Sequence, residues 1–252
     1  MLALKLLLVP AFLAVISFAG RRWGPGVAGW LSGFPSLTGP ILFFLAIERG
    51  AEFTAQAAVL SLACVFPAVS FGIAYAWASR RLAWPGAVAC AFAAWTAGVV
   101  LLAQVPLTAS TSLALSLATL LVAPRLFPRP QAIGGMRSLP AWEIGLRMAA
   151  GAAMVLAVTA AAEALGTVWT GLFAAFPVMS TVMAVFSHRA NGPGFVQALL
   201  RAMVGGFYAY LTYCLCVAVL LEPWGIAVTY TVAVVATVAV QGAARAVILR
   251  LA

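Results

Sequence analysis

The stretch "SGFPSLTGP", residues 32–40, lies in the middle of an apolar segment long enough to cross a membrane. It contains two prolines, two glycines and three hydroxyl side chains. Proline removes a backbone donor and frees the carbonyl one turn earlier. In lipid such a carbonyl must find a partner, so irregular backbone is tolerated only against protein or a water-filled cavity. The stretch therefore predicts a helix that is broken inside the bilayer.

The composition of the whole chain favours a membrane protein. Of 252 residues, 65% are hydrophobic and only 8% are charged, with a mean hydropathy of +1.11. Soluble domains carry about 25% charged residues. We predict an all-α polytopic protein of about nine transmembrane helices, in which helices two and seven are broken. The expected spans are 2–20, 27–47, 53–78, 86–104, 107–123, 144–165, 167–187, 195–221 and 224–245.

The cationic residues between these spans are distributed unequally. Eleven arginines fall on one side of the expected membrane and two cations on the other, which places the larger group in the cytosol. The N-terminus is then outside, and the C-terminus and the 124–143 linker are cytosolic. The net charge of +9 thus reflects topology and predicts the lipid bilayer, not nucleic acid, as the environment. The eleven are Arg21, Arg22, Arg80, Arg81, Arg125, Arg129, Arg137, Arg147, Arg189, Arg245 and Arg250; the two are Lys5 and Arg49.

The first span could instead be a cleaved signal peptide, because Ser17-Phe18-Ala19 resembles a small-residue cleavage site. Cleavage would leave Arg21 and Arg22 outside and reverse the following loops. We therefore expect a true helix.

The sequence also contains a weak internal repeat. A shift of 142 positions aligns the two broken helices without a gap and superposes glycine, phenylalanine and proline, residues with conformational meaning. Five spans precede the second copy, so it would enter the membrane from the opposite side. The expected organisation is one membrane domain, with a first repeat over 1–123, the linker 124–143 and an inverted second repeat over 144–252. The alternative is chance similarity between apolar sequences. The identities are Gly29 with Gly171, Phe34 with Phe176, Pro35 with Pro177, Phe44 with Phe186, Gly50 with Gly192 and Phe53 with Phe195.

The second broken helix resembles a known family. Gly171-Leu172-Phe173-Ala174-Ala175-Phe176-Pro177 is similar to the Gly-Leu-x-x-x-Phe-Pro stretch of the GlpM family of small bacterial inner-membrane proteins, and residues 29–35 match it more loosely. Members of that family are about one repeat long, so this chain would be a tandem of two. The resemblance implies a bacterial inner-membrane setting.

Polar residues near the two breaks are the candidate substrate pathway. Inverted repeats with discontinuous helices are typical of secondary transporters, whose sites lie near the bilayer midplane. The alternative is a purely structural role: a kinked helix whose free carbonyls accept hydrogen bonds from neighbouring Ser and Thr side chains. The predicted pathway residues are Phe34, Pro35, Ser36, Thr38, Gly39, Pro40, Gln56, Phe176, Pro177, Ser180, Thr181, Gln197 and Arg201.

Ionisable residues near the membrane have two interpretations each. Arg201, inside a span one turn after Gln197, could hold a substrate carboxylate or phosphate. Alternatively, it could extend to cytosolic headgroups or pair with the freed carbonyls near Pro177. Glu48 and Glu52 are predicted with Gln56 on one face at the outer end of span three, as a proton or cation site or as a solvated helix start. Glu163 is a third candidate for a proton or cation site.

We therefore predict a permease or exporter of a small molecule or ion, without enzymatic activity. No catalytic triad, metal-ligand or nucleotide-binding motif occurs, so neither a catalytic residue nor a metal or cofactor is expected. The alternatives are a non-transporting assembly subunit of an envelope or polysaccharide system and a lipid flippase. A homo-oligomer or a membrane partner is compatible with either reading.

Overall fold

The described part of the chain is almost entirely helical. The computed structural model describes residues 2–129, 131–133, 141–165 and 176–251, and within these ranges no strand occurs. In this described part, six helical segments are long and apolar enough to cross a membrane, one of them the continuous stretch Ala51–Ala78. The prediction of an all-α chain with several apolar spans is thus confirmed at this level.

The helices follow one another with few residues between them. They are α1 (Leu2–Trp23), α2 (Pro25–Ser32), α3 (Thr38–Arg49), α4 (Ala51–Ala63), α5 (Val65–Ala78), α6 (Trp84–Leu102), α7 (Ala109–Leu126), α8 (Ala141–Leu165) and α9 (Val178–Leu251).

Single glycines with positive φ join several of these helices. Gly24 separates α1 from α2 and Gly50 separates α3 from α4, with φ of 87° and 86°. Gly192 and Gly225 interrupt α9 with φ of 77° and 70°, and divide it into α9a (178–191), α9b (193–224) and α9c (226–251). A side chain at such φ is strained, which explains the glycines. Gly50 and Gly192, equivalent under the 142-residue shift, also share an extended ψ of 175° and −177°.

The predicted second span differs most from a regular helix. Its residues form α2, of 8 residues, and α3, of 12 residues, so neither half alone has the length of a bilayer. The predicted seventh span is described only from Phe176, so its first half lies outside the described residues. Spans eight and nine correspond to α9b and α9c. The 124–143 linker loses its first residues to α7, which continues to Leu126.

Glycines bring α2 into backbone contact with α9b. A Cβ on Gly29 would collide with the carbonyl of Leu199, and one on Gly33 would lie 2.6 Å from the carbonyl oxygen of Met203. On the opposite helix, a Cβ on Gly206 would lie 2.8 Å from the Cα of Gly33. Gly29 and Gly33 are four residues apart, the spacing of close helix crossings in membranes. This crossing fixes the break beside α9b, while α1 packs along α8.

Candidate functional site

The break between α2 and α3 has a defined hydrogen-bond pattern. The N–H of Phe34 donates to Leu31 O at 3.1 Å, and the N–H of Ser36 donates to Phe34 O at 2.7 Å. The N–H of Gly39 then donates to Pro35 O at 2.8 Å and restarts the helix. Pro40 has no N–H for the carbonyl of Ser36. The chain here is a tight turn that leaves this carbonyl without its helical partner.

The second Phe-Pro pair adopts the same turn. The N–H of Val178 donates to Phe176 O at 2.8 Å, and the N–H of Thr181 donates to Pro177 O at 2.9 Å. Each bond matches its counterpart at Phe34 and Pro35 after the 142-residue shift. Thr181 Oγ1 also donates to Pro177 O at 2.8 Å, so this hydroxyl is occupied by the backbone. Residues 166–175, which contain the rest of the predicted motif, lie outside the described residues.

Met203 connects the two breaks. Its backbone meets Gly33 at the end of α2, and its Sδ lies 3.6 Å from Ser180 Oγ at the start of α9a. Both Met203 and Ser180 are buried. The structure therefore brings the first break and one hydroxyl of the second into contact with the same residue, the first through its backbone and the second through its side chain.

Tyrosines of α9 hold the beginning of α3. Thr38 Oγ1 donates to Tyr210 Oη at 3.4 Å, and Tyr213 Oη donates to Gly39 O at 3.1 Å. The ring of Tyr230 packs edge-on against Phe43, with ring centroids 5.1 Å apart. Thr38 and Gly39 thus anchor α3 to its neighbours.

Ser36 differs from the other predicted hydroxyls. It is only 8% exposed, and among the described residues its Oγ makes no hydrogen bond. Buried polar groups in native proteins nearly always have a partner. Together with the Ser36 carbonyl, this hydroxyl can accept and donate hydrogen bonds to a guest molecule.

Phe176 lies in an aromatic cluster away from Ser36. It stacks on Phe92 with ring centroids 5.2 Å apart and meets Trp95 edge-on at 5.5 Å. Both partners belong to α6. The ring therefore fixes the second turn against the first half of the chain.

Gln197 has a structural role that the sequence did not reveal. Its Oε1 accepts from the N–H of Gln131 at 3.1 Å and its Nε2 donates to Ser79 Oγ at 3.3 Å. Gly194 packs against the segment 131–133, and a Cβ on this glycine would lie 2.7 Å from Ala132 O. The buried amide thus ties residues 131–133 to the helices, and both of its ends are occupied.

Several predicted residues lie on the outer surface. Arg201 is exposed and, within the part of the chain that the structure describes, makes no hydrogen bond or ion pair, because it faces away from the crossing with α2. Glu48, Glu52 and Gln56 are exposed too. The prediction of one shared face for them is wrong: Glu48 belongs to α3, and the turn at Gly50 separates it from the other two. The side chain of Glu163 lies outside the described residues.

Arg147 is a buried charge that sequence reasoning counted only among the cytosolic cations. The residue is 2% exposed and donates to Glu143 Oε1 at 3.0 Å and to Ser17 Oγ at 3.3 Å. Its guanidinium also lies 5.7 Å from the ring centroid of Phe186. The sequence contained an indication of this ion pair, because Glu143 and Arg147 are four residues apart on one helix. This pair joins α8 to α1 and α9a.

Comparisons with protein-family models, with curated proteins and with solved structures gave no match to this chain.

Proposed function

We propose that this protein is a secondary-type transporter of a small solute, with its site at the break between α2 and α3. One observation carries the proposal. Helical hydrogen bonding stops between Ser32 and Thr38, within a segment of bilayer length, and buried Ser36 lies there without a side-chain partner. Discontinuous helices of this kind form the substrate sites of many secondary transporters.

The matching turns at Phe34 and Phe176 support an inverted repeat as the framework of transport. Their hydrogen bonds agree within 0.1 Å, and Gly50 and Gly192 agree in backbone conformation. The packing of α1 on α8, which the repeat makes equivalent, supports the same arrangement. Two halves of opposite orientation would alternate access by moving about the contact of α2 with α9b. The two Phe-Pro turns are the hinges of that movement.

The charge asymmetry of the loops supports an orientation with the N-terminus outside and the C-terminus in the cytosol. The GlpM-like stretch at 171–177 supports a bacterial inner membrane as the setting. In this orientation the turns at Gly24 and Gly192 face the cytosol and those at Gly50 and Gly225 face outwards.

Transport by purified protein in liposomes tests the proposal. Uptake of small organic anions, cations and amino acids is followed with a pH-sensitive dye, and uptake of glycerol and urea by light scattering. The double variant Pro35→Ala/Pro177→Ala should lose most of the flux, roughly tenfold or more, while it still inserts and purifies normally. Pro85→Ala, at the exposed start of α6, is the matched control and should transport normally.

Two results would contradict the proposal. Folded wild-type protein without flux of any solute would favour the assembly-subunit alternative. Movement of labelled phospholipid between leaflets, without solute flux, would favour the flippase alternative.

A further inference from the structure

One face of α9c carries buried polar groups without partners. Thr229, Thr237 and Gln241 are spaced by multiples of four residues, and Tyr230 is adjacent to Thr229 in sequence. The exposed fractions are 0% for Thr229, 8% for Tyr230, 1% for Thr237 and 5% for Gln241. Within the described residues, no hydrogen-bond partner exists for the oxygens Thr229 Oγ1, Tyr230 Oη, Thr237 Oγ1 and Gln241 Oε1. We call these four residues the polar face of α9c.

The missing hydrogen bonds are not a property of threonine in this helix. Thr231, two residues from Thr229 and exposed, donates its hydroxyl to Ala227 O at 2.8 Å, the usual solution in an apolar helix. Thr229 and Thr237 do not make this bond. A buried hydroxyl without a hydrogen-bond partner destabilises the fold, because it has lost its hydrogen bonds to water without replacement. A run of such groups on one face indicates that another molecule supplies their partners.

The polar face lies along the broken span. Near its beginning, Tyr230 packs on Phe43 of α3 at 5.1 Å. Near its end, Gln241 Nε2 donates to Trp30 O of α2 at 3.1 Å. Helix α9c therefore runs antiparallel to α2 and α3. Thr237, four residues before Gln241, lies level with the turn at 33–37. The unpaired hydroxyls of Thr237 and Ser36 are thus at the same depth.

The repeat gives a second, independent observation. Trp95 is the residue 142 positions before Thr237, and it packs on Phe176 of the second turn at 5.5 Å. Its Nε1 is also buried without a hydrogen-bond partner. The second Phe-Pro turn thus has an unpaired polar atom beside it, on α6 at the position equivalent to Thr237 of α9c.

The chemistry of the polar face excludes a charged guest. Hydroxyls and an amide both donate and accept, and no charged side chain of the described residues belongs to this face. Arg201 is exposed, and Arg147 is paired with Glu143 against α1 and α9a. An ion placed between α2, α3 and α9c would lose its hydration without gaining a counter-charge, which is far more costly than burying a hydrogen-bonded neutral group.

We propose that the polar face of α9c is the second wall of the pathway and binds a small uncharged solute rich in hydroxyl or amide groups. This inference rests on the proposed function and names the substrate class of the same site. The solute would bridge Ser36 to Thr237 and then exchange its hydrogen bonds along Thr229 and Gln241. Ordered water is the other source of the same hydrogen bonds.

Stopped-flow light scattering on proteoliposomes tests the inference, with osmotic gradients of glycerol, urea or an impermeant sugar. Thr237→Val removes the hydroxyl at nearly constant volume, and Thr231→Val is the matched control on the same helix. We expect Thr237→Val to reduce glycerol or urea flux about tenfold, whereas Thr231→Val retains it. Thermal unfolding in detergent is measured in parallel. The midpoint of Thr237→Val should stay or rise, because its hydroxyl has no partner to lose.

The outcomes separate the two proposals. Flux of organic ions but not of glycerol or urea would overturn the assignment of an uncharged solute, while the proposed transport function would stand. Permeability to water alone, reduced in Thr237→Val, would overturn it in favour of a water path. A clear fall in the unfolding midpoint of Thr237→Val would show that the hydroxyl is satisfied, and would also overturn it. No flux of any kind would remove the proposed function and the inference together.

Discussion

The carbonyl oxygens of Phe34 and Phe176 accept the same hydrogen bond, from the backbone N–H two residues later, at 2.7 and 2.8 Å. The carbonyl of the next residue, Pro35 or Pro177, accepts a hydrogen bond from the backbone N–H four residues later in both cases. Two turns of one geometry, 142 residues apart, support the proposed repeat. The predicted spans that carry them, the second and the seventh, are five spans apart, so the proposed repeat would place its two copies antiparallel in the membrane.

The antiparallel arrangement predicts opposite labelling of equivalent positions. Glu48 and Ala190 are separated by 142 residues and each lies two residues before a positive-φ glycine. In a background with all cysteines replaced by alanine, Glu48→Cys should react with an impermeant maleimide in intact cells. Ala190→Cys should react only after the membrane is opened. Labelling of both from one side would contradict the inverted repeat.

The crossing of α2 and α9b predicts strong sensitivity at Gly33. A Cβ there would lie 2.6 Å from Met203 O and 2.7 Å from the backbone of Gly206, and neither backbone atom can move freely. We expect Gly33→Ala to lower the free energy of unfolding by roughly 1–3 kcal/mol, the usual cost of overpacking. Gly26→Ala is the control on the same helix, since a Cβ there meets nothing within 4 Å. Thermal unfolding in detergent measures both, and equal midpoints would show that the helices do not touch there.

The buried pair of Glu143 and Arg147 predicts a non-additive mutant cycle. Glu143→Ala leaves the guanidinium buried without its counter-charge, and we expect a loss of about 3–5 kcal/mol. Glu143→Ala/Arg147→Met removes both charges and should recover much of that loss. Arg201→Ala, at an exposed cation, should change stability little. Additive effects in the cycle would mean that the pair is solvated.

Gln197 predicts protection of the segment that follows α7. Because Gln197 Oε1 accepts from the N–H of Gln131, Gln197→Leu should speed hydrogen exchange at that amide. It also leaves Ser79 without its amide donor. Exchange measured by mass spectrometry over 127–133 would show the change, with Gln56→Leu, an exposed position, as the control. Unchanged hydrogen exchange in Gln197→Leu would show that the segment after α7 does not lie against Gln197.

The sequence could predict the features that depend on local backbone chemistry. Apolar length gave the helices, Pro35 and Pro40 gave the interruption of the second span, and the expected gaps between spans at 48–52 and 188–194 contain the turns at Gly50 and Gly192. These features need no knowledge of neighbours, because the missing N–H and the positive φ belong to the residue itself.

The direction in which a side chain points could not be predicted in the same way. Arg201 and Gln197 are one turn apart, yet the first is exposed and the second is 1% exposed. The difference depends on which face of α9b meets the rest of the chain. Arg147 was likewise hidden, since its burial requires Ser17 and Phe186 from distant segments. The spacing of Thr229, Thr237 and Gln241 was visible, but only their burial shows that it matters.

The close approach of Gly29 to Leu199 and of Gly33 to Gly206 has a mechanical consequence. Backbones that touch without intervening side chains leave no interlocking knobs to resist rotation, while the distance between the two helix axes cannot shrink further. In the proposed transport cycle the crossing would act as a fulcrum: its separation would stay constant, and the ends of α2 and α9b would move farthest. Distance probes at Gly26 and Val219 should therefore report changes that a probe pair at the crossing does not.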